Sequence, residues 1–215
     1  MKTFNKTLIA AATITTFGLA AAPAAVSLEA SASIATSYLW RGQELGNGQA
    51  ALAVDLSGST GALSYGLWIS SGDGQDGMEG DELQQGSTEY DVYVSYAGSA
   101  GDIGYSIGYA NYNYPSAGVD FHEDGSAEYV YGLSYGPASV TLFDNTDTDY
   151  EYTVIGYEAG AFSFAYGDAD DVGDDDDYTH FDVTFAVNDS LSVTFSDRDV
   201  DGADTVIAAT YTLPF

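Results

Sequence analysis

Beyond residue 33, residues of contrasting character alternate at period two along almost the whole chain, and apolar residues nowhere recur at helical spacing. A period of two sends successive side chains to opposite faces of an extended strand, so this sequence is committed to sheet. In 34–40 the even positions carry the bulk. In 50–56, Leu52, Val54 and Leu56 stand opposite Ala51, Ala53 and Asp55. Leu63, Tyr65, Leu67 and Ile69 oppose Ser64, Gly66, Trp68 and Ser70, while Tyr90, Val92, Val94 and Tyr96 oppose Glu89, Asp91, Tyr93 and Ser95. The pattern continues through 103–109, 129–135, 162–166, 181–187 and 191–195. Two segments, 139–144 and 150–157, carry bulk on both faces, which leaves their register open. The last segment sets Ile207, Ala209, Tyr211, Leu213 and Phe215 against Ala208, Thr210 and Thr212, making twelve in all.

The connections alternate as well. Tight turns at 58–61, 98–101, 136–137, 159–160 and 188–189 are interleaved with mostly longer polar connections at 41–48, 71–87, 115–126, 145–149, 167–177 and 197–204. An even number of antiparallel strands, with short turns at one end and long loops at the other, is how a barrel crosses a bacterial outer membrane. A soluble β-sandwich shares the period, but its second face meets water and carries charged and long polar side chains. Here that face is dominated by Ala, Gly, Ser and Thr, and Tyr collects at the ends of the apolar face, where an aromatic girdle would lie. The expected fold is all-β: a transmembrane antiparallel up-and-down β-barrel of about 12 strands, with short periplasmic turns and long acidic outer loops.

At 215 residues with 45% hydrophobic content, the chain suits one sizeable domain. It has no cysteine, which excludes disulfides and thiolate-ligated metals. Acidic residues number 33 against 4 basic ones, so a nucleic-acid partner is excluded for want of cations to meet phosphate. Two of those cations, Lys2 and Lys6, precede an uncharged apolar run at 8–22 that ends in Ala22-Pro23-Ala24. That is a secretory signal peptide at 1–24, with Ala30-Ser31-Ala32 allowing cleavage as late as 32. The run is shorter than the ~20 residues a helix needs to span a bilayer. The barrel domain then covers 25–215 and keeps all 33 acids against only Arg41 and Arg198, a formal charge of −31.

Chain ends usually fray into water, so a terminus made of Tyr211, Leu213 and Phe215 at period two is unusual. It resembles the closing strand of bacterial outer-membrane barrels, which implies an assembly signal read by the barrel-assembly machinery. A second resemblance lies nearer the start. Ser37-Tyr38-Leu39-Trp40-Arg41-Gly42, then Gly48-Gln49-Ala50-Ala51-Leu52 and Gly66-Leu67-Trp68, are similar to segments of the TorF-like putative porin family, most clearly over 31–70. That resemblance implies an outer-membrane, porin-like protein and carries over no catalytic residue. The chain is more acidic than a typical member.

Three constellations could carry chemistry. On these registers Asp55, Glu89, Asp91, Asp102, Glu128 and Asp182 point inward among small residues, with Arg41 the lumen cation near the first loop. Twelve strands fall between the ~8-strand barrels that side chains can fill and the ~16-strand aqueous porins. A narrow, water-filled, negatively lined lumen favours cations. The alternative is that the acids pair internally and loops plug the lumen. The second constellation is 168–177, with seven aspartates in ten positions. Asp170, Asp171, Asp174, Asp175, Asp176 and Asp177 could hold Ca²⁺ or Mg²⁺ weakly, the only cofactor in view, although a self-repelling acidic loop is the plainer reading. Third, Glu89 with Asp91 and His180 with Asp182 resemble the acid pair and His–Asp pair of omptin surface proteases, in altered order. The expectation is no enzyme, but a porin-like channel for passive diffusion of small, preferentially cationic hydrophilic solutes. The alternative is a closed barrel with a structural or surface-interaction role. Its surroundings would be outer-membrane lipid and lipopolysaccharide.

Overall fold

The computed structural model describes residues 26–46, 48–73, 87–115, 125–171 and 177–215. The leader read at 1–24 lies outside them. Their strands run β1 (Ser27–Ala35), β2 (Leu39–Trp40), β3 (Gln43–Glu44), β4 (Ala51–Thr60), β5 (Leu63–Asp73), β6 (Ser87–Ala100) and β7 (Ile103–Asn113). There follow β8 (Ala127–Tyr135), β9 (Ala138–Asn145), β10 (Tyr150–Ala159), β11 (Phe162–Asp171), β12 (Tyr178–Ala186), β13 (Leu191–Arg198) and β14 (Val206–Pro214). Twelve of these strands close into one antiparallel barrel in which each pairs with its neighbours in the chain, and β1 joins β14 to β4. The remaining two, β2 and β3, form a separate hairpin.

Local chemistry accounts for the up-and-down path. Four of the tight turns begin with a glycine, Gly61, Gly101, Gly136 and Gly160, each with φ between 57° and 66°. A glycine in that conformation at the first of two turn residues twists the chain in the sense that antiparallel strands require. At the seam, the Phe215 amide donates to the Ala30 carbonyl at 2.8 Å and the Thr36 amide donates to the Ala209 carbonyl at 2.9 Å. The barrel thus has no free edge where its ends meet.

The apolar face of every wall strand points outward. Leu52, Val54, Leu56, Val92, Val94, Ile107, Leu133, Ile155 and Ile207 are all exposed there. Tyr96, Tyr105, Tyr135, Tyr157 and Tyr211 stand toward the turns, and the Tyr109 and Tyr129 rings meet toward the loops, 5.9 Å apart. The structure also settles the two open registers. Ser139, Thr141 and Phe143 of β9 face inward, as do Tyr150, Tyr152, Val154 and Gly156 of β10. Bulk on both faces of these segments therefore has a cause: several large side chains are needed inside.

Several boundaries differ from the sequence reading. The first wall strand is Ser27–Ala35, not 34–40, and Tyr38, Leu39 and Trp40 leave the wall. β6 runs on to Ala100, so the turn is Gly101-Asp102. Asp102 is therefore an exposed turn residue and lines no lumen, because parity assigns a face only within a strand. Finally, β11 extends to Asp171, so Asp168 and Asp170 belong to the wall and point outward.

Candidate functional site

The connection between β1 and β4 folds into the barrel instead of standing above it. Its core is the β2–β3 hairpin, whose two-residue turn is Arg41-Gly42 with φ of 48° and 77°. Two successive positive φ values make the tight hairpin turn that matches strand twist. Glycine adopts it freely; arginine does not, and Arg41 is the one non-glycine residue with positive φ among the described residues. Glu44 ties the hairpin's base, accepting from the Ser37 hydroxyl at 2.8 Å and from the Gly46 and Gly48 amides at 2.9 and 3.0 Å.

Arg41 sits at the tip with 4% of its surface exposed. Its Nη1 and Nη2 donate to the two oxygens of Glu128 on β8 at 2.8 and 2.6 Å, a bidentate pair. The Tyr112 hydroxyl of β7 donates to the same carboxylate at 2.7 Å. Aromatic rings surround the guanidinium: its central carbon lies 4.3 Å from the Trp40 centroid, 4.5 Å from Tyr152, 4.7 Å from Phe143 and 5.7 Å from Tyr150. A desolvated cation over a ring face gains about 2 kcal/mol. Burial opposes the charge, yet the Glu128 carboxylate outweighs it and holds the arginine above its already high ordinary pKa.

The flanks of the hairpin touch the wall on both sides. Tyr38 donates its hydroxyl to Glu89 of β6 and stacks on Trp68 of β5, with centroids 6.1 Å apart. Tyr114 donates to the other Glu89 oxygen at 2.8 Å. Burial and the Glu89 charge push the Tyr38 hydroxyl well above the ordinary phenol range, so it remains a donor. Opposite, Gln43 donates to the Tyr178 hydroxyl of β12 at 2.7 Å. His180, 2% exposed, is wedged between Gly42 and Gly167, at either of which a Cβ would overlap its ring. Its Nε2 meets the Tyr152 hydroxyl at 2.8 Å and its Nδ1 meets Asp182 Oδ1 at 3.0 Å, an oxygen that also accepts from Ser196 at 2.6 Å.

Five of the six acids expected to face inward do so. Asp55 accepts from the Tyr93 hydroxyl at 2.9 Å, with the Tyr93 ring laid over Gly66. Glu89, Asp91 and Glu128 are buried beside the hairpin, and Asp182 is half-buried below His180. Arg41 is the lumen cation expected, but its role is to pair rather than to line. Toward the turns many inward positions are small, among them Ser57, Ser64, Gly132, Ser134, Ser163, Ala165 and Thr184, with Tyr93 and Glu158 the larger side chains between them. Of the proposed divalent loop, Asp170 is exposed on the outward face, Asp171 ends β11 and Asp177 is exposed before β12. Asp174, Asp175 and Asp176 lie outside the described residues. Among the described residues, no group of His and acidic side chains is placed to hold a metal ion. Sequence reasoning missed Tyr112, Phe143, Tyr150 and Tyr152 as site residues. For the last three the only signal was the extra bulk in 139–144 and 150–157.

No protein-family profile matches the chain, and no curated protein matches it. Among solved structures it is similar to a triple mutant of the porin from Rhodobacter blastica, at 14% identity and a TM-score of 0.42. The match covers 77% of this chain and 55% of the porin chain, so the protein spans about half that chain's length.

Proposed function

We propose that the protein is a porin-like channel of the bacterial outer membrane, passing small hydrophilic solutes and preferring cations. One observation carries this reading: the barrel is inside-out with respect to a soluble protein. Its outer face is an exposed apolar surface around the whole circumference, and its inner face carries acids, hydroxyls and small residues, with aromatic rings gathered around the hairpin. A surface of that kind far exceeds the patches that monomeric soluble proteins leave in water, and hydrocarbon is the solvent that suits it. Within the lumen Arg41 is neutralised by Glu128, while Asp55 accepts from the Tyr93 hydroxyl and Asp182 is met by His180 and Ser196, so the acids outnumber the one buried guanidinium. A negative wall in a confined low-dielectric space enriches cations and repels anions. The hairpin sets the narrowest part of the path. The likeness to TorF-like porins supports the same reading through its motifs, the first of which, 37–42, is the hairpin itself.

The inward hairpin also favours a second reading, a barrel that is closed and serves the surface rather than transport. Current decides between them. Purified protein in a planar bilayer under a potassium chloride gradient should give unitary steps and a reversal potential displaced toward the cation value. Absence of any current leaves the closed barrel. A hydrolytic role has little support, because β6 and β12 stand on opposite sides of the ring and the hairpin fills the space between them. Glu89 and His180 are each engaged on both of their polar atoms, so no water is shared between the acid pair and the His–Asp pair.

A further inference from the structure

Apart from Trp40 of the hairpin itself, the groups around Arg41 belong to the barrel wall, whereas the guanidinium they enclose belongs to a connection. Glu128, Tyr112, Phe143, Tyr150 and Tyr152 come from β7, β8, β9 and β10, each held by ladder hydrogen bonds to its neighbours. The cage therefore keeps its shape without Arg41. Its chemistry matches one kind of guest: a carboxylate for two parallel N–H groups, ring faces for a flat cation, and hydroxyls at the edge. The present guest is held with its backbone in the left-handed region, at a cost of about 1 kcal/mol or more. A strained internal guest in a rigid host is open to competition.

We propose that this cage is a binding site for small guanidinium-bearing cations, occupied by Arg41 of the chain's own hairpin until such a solute displaces it. The assignment deepens the channel reading by naming a solute class, and it depends on that reading only for its consequence in transport. A simple ammonium or alkali ion lacks the planar fork and binds less well.

The test is a titration of the detergent-solubilised barrel with millimolar guanidinium chloride, with sodium chloride holding ionic strength constant. Tryptophan emission reports the cage, because Trp40 stacks on Arg41, and loss of the folded gel band on heating reports stability. Wild type competes with itself. Arg41→Ala removes the competitor, so its apparent affinity for guanidinium should rise about tenfold or more, and guanidinium should restore part of its lost heat resistance. Adding Glu128→Gln to that variant should abolish both responses. Should Arg41→Ala fail to assemble, Arg41→Lys keeps the charge without the fork and should likewise bind guanidinium more tightly than wild type. A variant with no saturable response beyond sodium, or a response that survives Glu128→Gln, overturns the proposal. Neither readout needs current. A barrel that binds guanidinium but never conducts would therefore sink the channel reading alone.

Discussion

Arg41 and Glu128 act as one unit, each at least 96% buried, and neither can be removed without stranding the other. Truncating one partner of such a pair costs roughly 3–5 kcal/mol, mostly from the bare charge left behind, whereas removing both costs less than the sum. Arg41→Ala and Glu128→Gln should each lower the urea midpoint of the folded barrel, and the double variant should recover much of the loss. Strictly additive losses would mean that the two side chains do not depend on each other. Selectivity supplies a second prediction. Asp55→Asn with Asp182→Asn should bring the reversal potential toward zero, while Asp102→Asn, in an exposed turn, should leave it in place. An equal effect from Asp102→Asn would show that wall charge is not the determinant. Parity placed Asp55, Glu89, Asp91, Glu128 and Asp182 correctly because a strand offers only two faces. It misplaced Asp102 because the turn ends one residue later than 98–101, at Asp102 itself. The partner of Glu128 was illegible, since the two residues are 87 positions apart and meet only once the connection folds inward.

For the elements, the alternation at 34–40 showed extended chain without showing whether that chain was wall or plug, because a hairpin inside the lumen has the same period as a strand around it. The wall strand instead starts at Ser27, in a stretch whose small residues barely alternate, and its register comes from pairing with β4 from Ser27↔Ser59 to Ala35↔Ala51. Processing should therefore leave Ser27 on the mature protein. N-terminal sequencing that began at Ser33 would mean the barrel closes without most of β1. Excising 37–46 and bridging the gap with glycines should raise unitary conductance several-fold and leave the barrel assembled. Unchanged conductance would show that the hairpin does not set the narrow point. The assembly role of the last strand is tested by deleting Phe215, which is 81% exposed on the outward face and supplies the final seam hydrogen bond. Membrane levels and heat-modifiable mobility should fall; wild-type values would count against it.

Among the described residues the barrel is asymmetric, with the hairpin at one end and the tight turns, the start of β1 and Phe215 at the other. Tags inserted at 172–176 should be reached by antibody on intact cells, and tags at Gly101-Asp102 should not; the reverse would invert the orientation. The strand number, the alternation of turns and the apolar exterior were legible in sequence, since each follows from local period and turn chemistry. What filled the lumen was not, since it depends on a connection crossing to the far wall. The seam has a consequence in time. Residues near 30 must find residues near 215, the longest loop closure the chain can make, and β1 meets β14 only over Ser31–Ala35. Until the last residue is made, every partial barrel carries two raw edges that invite pairing with other chains. Such a chain cannot mature stave by stave as it emerges from the ribosome. Closure of the ring therefore comes late in folding, once β14 is present to meet β1.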